Sequence, residues 1–453
     1  MMQERIPARH PGQFPCCPTS PWTHARRQAT LVPGMPDLPP STPIRENVGR
    51  TTLALVLTAM AGGAAGAAFL SLLDSVTRLH QLHAWLLYLL PLIGIGVGWV
   101  YHRFAGAAAK GTNLLIEQAH EEAPCVPFRL APLILISTLM THLGGGSAGR
   151  EGTAVQMGGG IGGGISNLLG LGPKGRRLVL LGGMAAGFGA VFGTPLAAAV
   201  FAIECLQARR MEWRILPACL VTSWGAHLTC LACGASHTHY DAGLPPLTGI
   251  QSLDLRIGWI AGAALAGVSA GLMAQLYIHT GRLTARGFAR IPTPWLRPVA
   301  GAGLLILLTF LLGNRSYLGL GAIPMDPGSP SIKTAFGPDA MPSWSWALKL
   351  IFTVITLGSG FKGGEVTPLF FMGATAGNAL GTQVGLPSGL GAAAGLAAVF
   401  AGASRTPVAC TLLGLELFGW AAAPYVAVAC WASQLSSGHK SIYEAPNRTH
   451  REP

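Results

Sequence analysis

Three short strings in this chain set glycine and hydrogen-bonding side chains directly before apolar helical runs. They are Gly111-Thr112-Asn113-Leu114-Leu115, Gly149-Arg150-Glu151-Gly152-Thr153 and Gly363-Gly364-Glu365-Val366-Thr367-Pro368. A helix that begins inside a membrane presents unpaired N–H groups and a partial positive charge at its first turn. Several such ends meeting at one point bind an anion without a full positive charge, which would hold it too tightly. The main chain around Gly149, Arg150, Gly152, Val366 and Thr367 is therefore a candidate anion cradle. Tight helix packing at glycine-rich segments is the plainer explanation for any one string. It weakens when three strings occur together.

The side chains in these strings sharpen the expectation. Glu151 stands at a predicted buried helix start, where a carboxylate, itself an anion, can occupy the anion's own site. Protonation neutralises it and frees the site, which links proton movement to anion movement. A structural ion pair with Arg150 or a basic loop is the competing role; acids inside a membrane are usually functional. Glu365 is a second acid at a predicted helix start, either a dipole partner or part of a proton path. The Thr367 hydroxyl can serve a proton or an anion, or cap its helix. Thr112 and Asn113 offer one hydroxyl and two amide N–H donors, with helix capping as the alternative. Phe370 and Phe371 present ring edges of positive quadrupole density, although packing is the commoner role of phenylalanine in membrane helices. Lys362 reads as an orientation or packing residue.

These strings need a membrane to begin helices in, and the composition supplies one. Half of the 453 residues are hydrophobic and only 11% are charged, against about a quarter in soluble domains. Apolar stretches such as Thr52–Leu73, Ile257–Leu276 and Pro298–Leu312 recur, near the length that crosses a ~30 Å hydrocarbon layer. The 62 glycines allow close helix approach and broken helices, as in channels and transporters. The net charge of +12 fits basic cytoplasmic loops. No basic stripe interleaved with exposed aromatics points to nucleic acid. Cys230 and Cys233 form a lone CxxC in apolar surroundings, so neither metal nor cofactor is expected. The expected fold is an all-α polytopic membrane protein.

An internal repeat organises the chain. Gly183–Glu204 and Gly395–Glu416 share a Thr-Pro, an apolar run and a closing Glu, at an offset of 212 positions. The same offset lays Gly146–Gly152 on Gly358–Gly364. Arg209, Arg210 and Arg214 mark one basic loop, and Arg282, Arg286, Arg290 and Arg297 another; both are expected to be cytoplasmic. Gly234–Asp254 and Asn314–Ala340 are then expected outside. The first half starts inside and the second outside, so the halves should be inverted, with the site at their interface. The expected divisions are a disordered cytoplasmic tail, 1–48, two inverted repeats, 49–250 and 251–437, and a short C-terminal tail, 438–453.

Here the chain resembles the CLC chloride channel and transporter family. Gly149–Gly152 matches the core of the family's second signature, Gly364–Pro368 occupies the place of its third, and Gly111–Leu115 lies where it has its first. The resemblance covers most of residues 50–445. It implies an inverted-repeat architecture of broken, tilted helices around a central anion site. It also implies that Glu151 is the gating glutamate, that Tyr443 is the pore tyrosine facing the anion, and that the protein is a homodimer. Thr112, Thr153 and Val366 depart from the serine, proline and aromatic of chloride-selective members. The strings Asn113–Leu115, Gly149–Gln156 and Gly363–Pro368 resemble the fluoride-exporting branch of bacteria, which implies a fluoride/proton antiporter in the inner (plasma) membrane and a role for Glu365 in the anion–proton path. Proton-coupled chloride exchangers often carry an acid where this chain has Cys205, which argues against a chloride-type proton route. Fluoride is small and strongly hydrated, so several donors such as Thr112 and Asn113 must replace its water. Glu416, the repeat mate of Glu204, is expected to be structural.

Three other readings stand beside this one: a chloride channel or chloride/proton exchanger of the same family, a membrane-embedded enzyme using Glu151 and His142 as acid and base, and a receptor or scaffold, which acids within the membrane region disfavour. Against the enzyme, no metal-binding pair such as HExxH and no activated nucleophile appears.

Overall fold

The computed structural model describes residues 48–443, apart from 122, 207–210, 239, 245–252, 327 and 340. All but the last residue of the expected N-terminal tail, together with Arg209, Arg210 and 444–453, lies outside the described residues.

The first half consists of helices α1 (Val48–Leu82), α2 (Leu90–Val100), α3 (Thr112–His120), α4 (Leu130–Leu143), α5 (Glu151–Leu168), α6 (Pro173–Phe192), α7 (Pro195–Glu204) and α8 (Leu216–Ala232). The second runs α9 (Leu253–Ala289), α10 (Arg297–Leu312), α11 (Ile332–Ala335), α12 (Ser345–Gly358), α13 (Val366–Gln383), α14 (Ser388–Ser404), α15 (Pro407–Phe418) and α16 (Ala423–Ser436). Among the described residues six stretches are long and apolar enough to cross a membrane, and the three expected spans fall within them. Proline opens α6, α7 and α15, where its missing N–H costs nothing and its fixed φ suits the first turn.

The two halves match helix for helix, with a change of register that corrects the single offset read from the sequence. α4 and α12, and α5 and α13, begin 215 positions apart (Leu130 with Ser345, Glu151 with Val366), as do α6 and α14 (Pro173 with Ser388). α7 and α15 begin 212 apart, at Pro195 and Pro407. The slip is absorbed in α14, which has 17 residues where α6 has 20. Gly149 therefore corresponds to Gly364, Arg150 to Glu365 and Glu151 to Val366, rather than the pairing expected at 212. Glycine-rich strings align almost equally well at either spacing, so only the helix starts decide.

Glycine brings the helices of each half together. A Cβ on Gly158 of α5 would lie 2.0 Å from the Gly183 carbonyl oxygen of α6, and one on Gly187 would lie 2.0 Å from that of Ala154. The corresponding pair in the second half, Gly373 of α13 and Gly395 of α14, makes the same backbone contact, with a Cβ on Gly373 2.2 Å from the Gly395 oxygen. Such approach lets dispersion act between whole helices where lipid offers no hydrophobic drive.

α7 and α15 cap each other. The Glu204 carboxylate, at the end of α7, accepts from the N–H groups of Val408 (3.1 Å) and Ala409 (2.7 Å) at the start of α15. Glu416, in the last turn of α15, accepts from Leu196 (2.9 Å) and Ala197 (2.8 Å) at the start of α7. Each carboxylate satisfies orphan donors at a positive helix end. The reciprocity means that α7 and α15 run antiparallel. Glu416 is structural as expected, and Glu204 has the same role.

Candidate functional site

The centre of the molecule is where α5 and α13 begin. Gly149 and Gly364 form an isolated antiparallel bridge, with Gly149 N–H donating to Gly364 O at 2.6 Å and Gly364 N–H to Gly149 O at 2.8 Å. A Cβ on Gly152 would stand 3.0 Å from Gly364 Cα, and one on Gly149 2.8 Å from the Thr367 hydroxyl. Side chains at these positions would force the two helix starts apart. Their absence lets two positive helix ends abut.

Glu151, the first residue of α5, is fully buried there. The Thr367 hydroxyl donates a short hydrogen bond to its Oε2. The Arg150 N–H lies 3.3 Å from both that oxygen and Thr367 Oγ1, and the Arg150 guanidinium is 3.3 Å from Oε1. The ion pair weighed as an alternative therefore exists, but it is one contact among several. The carboxylate accepts from a hydroxyl, a main-chain N–H and a guanidinium gathered at the two abutting helix starts.

Two funnels, an upper and a lower, reach the residues on either side of Glu151 in the chain. The upper, of about 420 Å³, is lined by Arg150 and by the loops containing Gly234 and Gly321. The lower, of about 200 Å³, is lined by Thr112, Asn113, Gln156, Lys362, Glu365 and Tyr443, and reaches Gly152. Only Glu151 separates Arg150 from Gly152 along the chain. The two loops expected outside thus share the upper mouth. Arg282 sits on the lower side, donating to Ser441 O at 3.2 Å, two residues from Tyr443.

Thr112 opens α3 behind Gly111, whose φ of +59° suits a residue without a Cβ. The Thr112 hydroxyl oxygen accepts from the Gln156 amide at 3.2 Å. Because that bond occupies a lone pair, the hydroxyl proton stays available to the funnel. Tyr443 is no loose tail residue. Ser441 Oγ donates to Ala403 O (3.3 Å) and Ser404 O (3.2 Å), and the Ile442 N–H donates to Ala403 O at 2.9 Å. Tyr443 is 8% exposed and sets its ring edge-on to Phe201 at 6.0 Å.

Rings line up beside the site. Phe370 contacts Phe192 (5.2 Å) and meets Phe400 edge-on (5.6 Å), and Phe400 stacks on Phe201 at 5.7 Å. Phe371 turns the other way, to the Lys349 ammonium at 5.4 Å and the Tyr317 ring at 6.3 Å. Successive helical residues point about 100° apart, so one of the two candidate rings joins the aromatic row and the other packs away from it.

The voltage gated chloride channel family is matched over residues 93–438. The chain belongs to this CLC family. It is 41% identical over 395 residues to a chloride/fluoride channel protein of Pseudomonas syringae pv. tomato, a match covering 87% of this chain and 85% of that protein. To an H(+)/Cl(-) exchange transporter of Yersinia pestis it is 30% identical over 332 residues, 70% of this chain and 66% of the other. The crystal structure of a CLC-type fluoride/proton antiporter superposes with a TM-score of 0.80 at 32% identity, covering 90% of this chain and 99% of that one. A slow cyanobacterial Cl-/H+ antiporter shares the fold, with a TM-score of 0.71 at 20% identity over 86% of this chain and 94% of that one. With six membrane-length apolar stretches among the described residues and bacterial relatives, this CLC protein is a multi-pass inner-membrane protein.

In this CLC protein His142 does not face Glu151. Its ring nitrogens lie 2.8 Å from Thr138 O and 3.1 Å from Ala148 O, which removes the geometry of an acid–base pair. Two funnel residues were not expected in the site. Gln156 lies five positions beyond Glu151, on a helix whose buried, glycine-rich pattern gives one polar side chain no distinction. Lys362, read as a packing residue, stands three positions before Glu365 and projects into the lower funnel.

Proposed function

We propose that this CLC protein exports fluoride from the cytoplasm in exchange for protons, with Glu151 as the displaceable gate. The carrying observation is the Glu151 carboxylate seated between two abutting helix starts and held by Thr367 and the Arg150 N–H. An anion of similar charge takes that seat only when the carboxylate is neutralised or moves aside. Protonation does the first, which ties one proton to each clearance of the site.

Several features support the finer parts of this reading. Arg282, Arg286, Arg290 and Arg297 make the lower mouth cytoplasmic by the positive-inside tendency. Fluoride then enters past Thr112, Asn113 and Tyr443, crosses at Gly149, Gly152, Val366 and Thr367, and leaves past Arg150. Glu365, in the lower funnel, relays protons between the cytoplasm and Glu151. Phe370 offers a ring edge along the way, and Phe371 supports it from behind. Residues 49–250 and 251–437 act as the two inverted halves, and the protein transports ions without making or breaking covalent bonds. The likeness to a fluoride/proton antiporter and to a chloride/fluoride channel protein supports fluoride as cargo. Exposed apolar side chains on α8 and α16, among them Trp224, Leu228, Trp431 and Leu435, offer a surface to lipid and to a second copy in a homodimer.

The competing reading is chloride transport, as channel or exchanger. Purified protein in liposomes, followed with fluoride and chloride electrodes and a pH electrode, separates them. Fluoride efflux should exceed chloride efflux by at least about tenfold, the scale of one net hydrogen bond, and protons should move the opposite way. Equal fluoride and chloride rates would remove the fluoride assignment, and anion flow without proton movement would remove the exchange.

A further inference from the structure

The lower funnel holds a cation that the gate mechanism does not use. Two ammonium groups line this mouth, Lys110 and Lys362. Lys110 is spoken for: its Nζ lies 2.6 Å from Glu117. Lys362 takes part in none of the four ion pairs found among the described residues. What holds it is the face of Tyr101, with the ammonium 4.4 Å from the ring centroid. A ring face steadies a cation without neutralising it. The funnel's one acid, Glu365, lines the same wall three residues on, but its carboxylate forms no ion pair with Lys362.

A half-sequestered ammonium without a counter-ion, inside a membrane domain, is costly unless an anion visits it. The groups around it are donors: the Thr112 hydroxyl, whose oxygen is already engaged by Gln156 at 3.2 Å, and the Asn113 side chain in the same funnel. We propose that Lys362 is the anion-collecting residue of the cytoplasmic mouth. Its ammonium is the counter-charge for a fluoride held with Thr112 and Asn113 before it passes to the seat guarded by Glu151. The site lies at the mouth rather than the centre, so a full charge raises local anion concentration without trapping the ion in the pore.

This proposal rests on the transport reading above, and the test separates the two. Wild type, K362Q and K362R are reconstituted in liposomes, and the initial rate of fluoride efflux is measured against internal fluoride. The measurement is repeated at raised ionic strength with an impermeant salt. K362Q should raise the half-saturating fluoride concentration about tenfold, the lower end of electrostatic focusing, with the maximal rate within about twofold. K362R should stay near wild type. Added salt should raise the half-saturating concentration of wild type and K362R, by screening, and leave that of K362Q unmoved. An unchanged half-saturation in K362Q, or a lower maximal rate in both variants without change in half-saturation, overturns the proposal and returns Lys362 to packing. If K362Q fails to fold, the salt response of wild type decides, and insensitivity to salt overturns the proposal. Should wild type carry chloride instead of fluoride, the cargo assignment falls, and the same series run with chloride still judges Lys362.

Discussion

At the scale of single residues the proposed exchange turns on one carboxylate. Glu151 is fully buried, and its oxygens are held by the Thr367 hydroxyl, the Arg150 N–H and the Arg150 guanidinium. Its release therefore needs a proton or a competing anion, which is the requirement for exchange. Glu151→Gln is the neutral isostere of the protonated acid. It should abolish proton counter-transport by at least about a hundredfold, the low end for a lost proton-transfer group, and leave any remaining fluoride flux independent of pH. Retention of pH-dependent exchange at the normal rate in liposomes would show that the gate lies elsewhere. The burial of Glu151 was legible in its apolar, glycine-rich neighbourhood. The hydroxyl of Thr367 on Oε2 was not, because the two residues stand 216 positions apart.

Helices must touch through their backbones to bring such residues together. Alanine normally improves an exposed helix position relative to glycine by about 1 kcal/mol. At Gly158 the added methyl would fall 2.0 Å from the Gly183 carbonyl oxygen, whereas at Gly96 of α2 no heavy atom lies within 4 Å. Gly158→Ala should lose about 3 kcal/mol or fail to fold, the upper range for overpacking, while Gly96→Ala should be neutral or slightly stabilising. Thermal unfolding in detergent compares them, and equal melting temperatures for the two variants would contradict the interlocked packing of α5 and α6. Sequence alone separates these glycines poorly, since both lie in apolar helices and differ only in what faces them.

For the whole molecule, the reciprocal caps between α7 and α15 tie the two halves together at their pseudo-symmetric contact. Glu204→Gln and Glu416→Gln each keep one carbonyl acceptor but turn an N–H₂ toward a helix-end N–H. Each should cost about 1–3 kcal/mol, the penalty for an unsatisfied buried donor with the loss of a charge-assisted bond. The two losses should be similar, because the geometry repeats at a spacing of 212 positions. Melting curves that moved for one variant and not the other would mean that the halves are not held symmetrically. Anion transport rates should fall less than stability, since neither carboxylate lines a funnel.

The amino-acid order by itself determined the membrane class, the broken helices, the duplicated plan and the acid at the head of α5. Each is written locally, in runs of apolar residues, in glycine before helix starts and in the Thr-Pro…Glu pattern that recurs. Tertiary structure decided what depends on two distant segments meeting. The three-residue register slip inside α14 makes Arg150 the counterpart of Glu365 and Glu151 that of Val366. Glu204 and Glu416 became partners in capping, Phe370 turned toward the aromatic row and Phe371 away, and Lys362 came to stand over the Tyr101 ring in the lower funnel, with no ion-pair partner among the described residues. The physical reason is the same each time. A local pattern fixes where a helix starts and which residues are buried, but the partner of a buried charge or hydroxyl is supplied by whichever chain segment the packing brings within about 3 Å, the reach of a hydrogen bond.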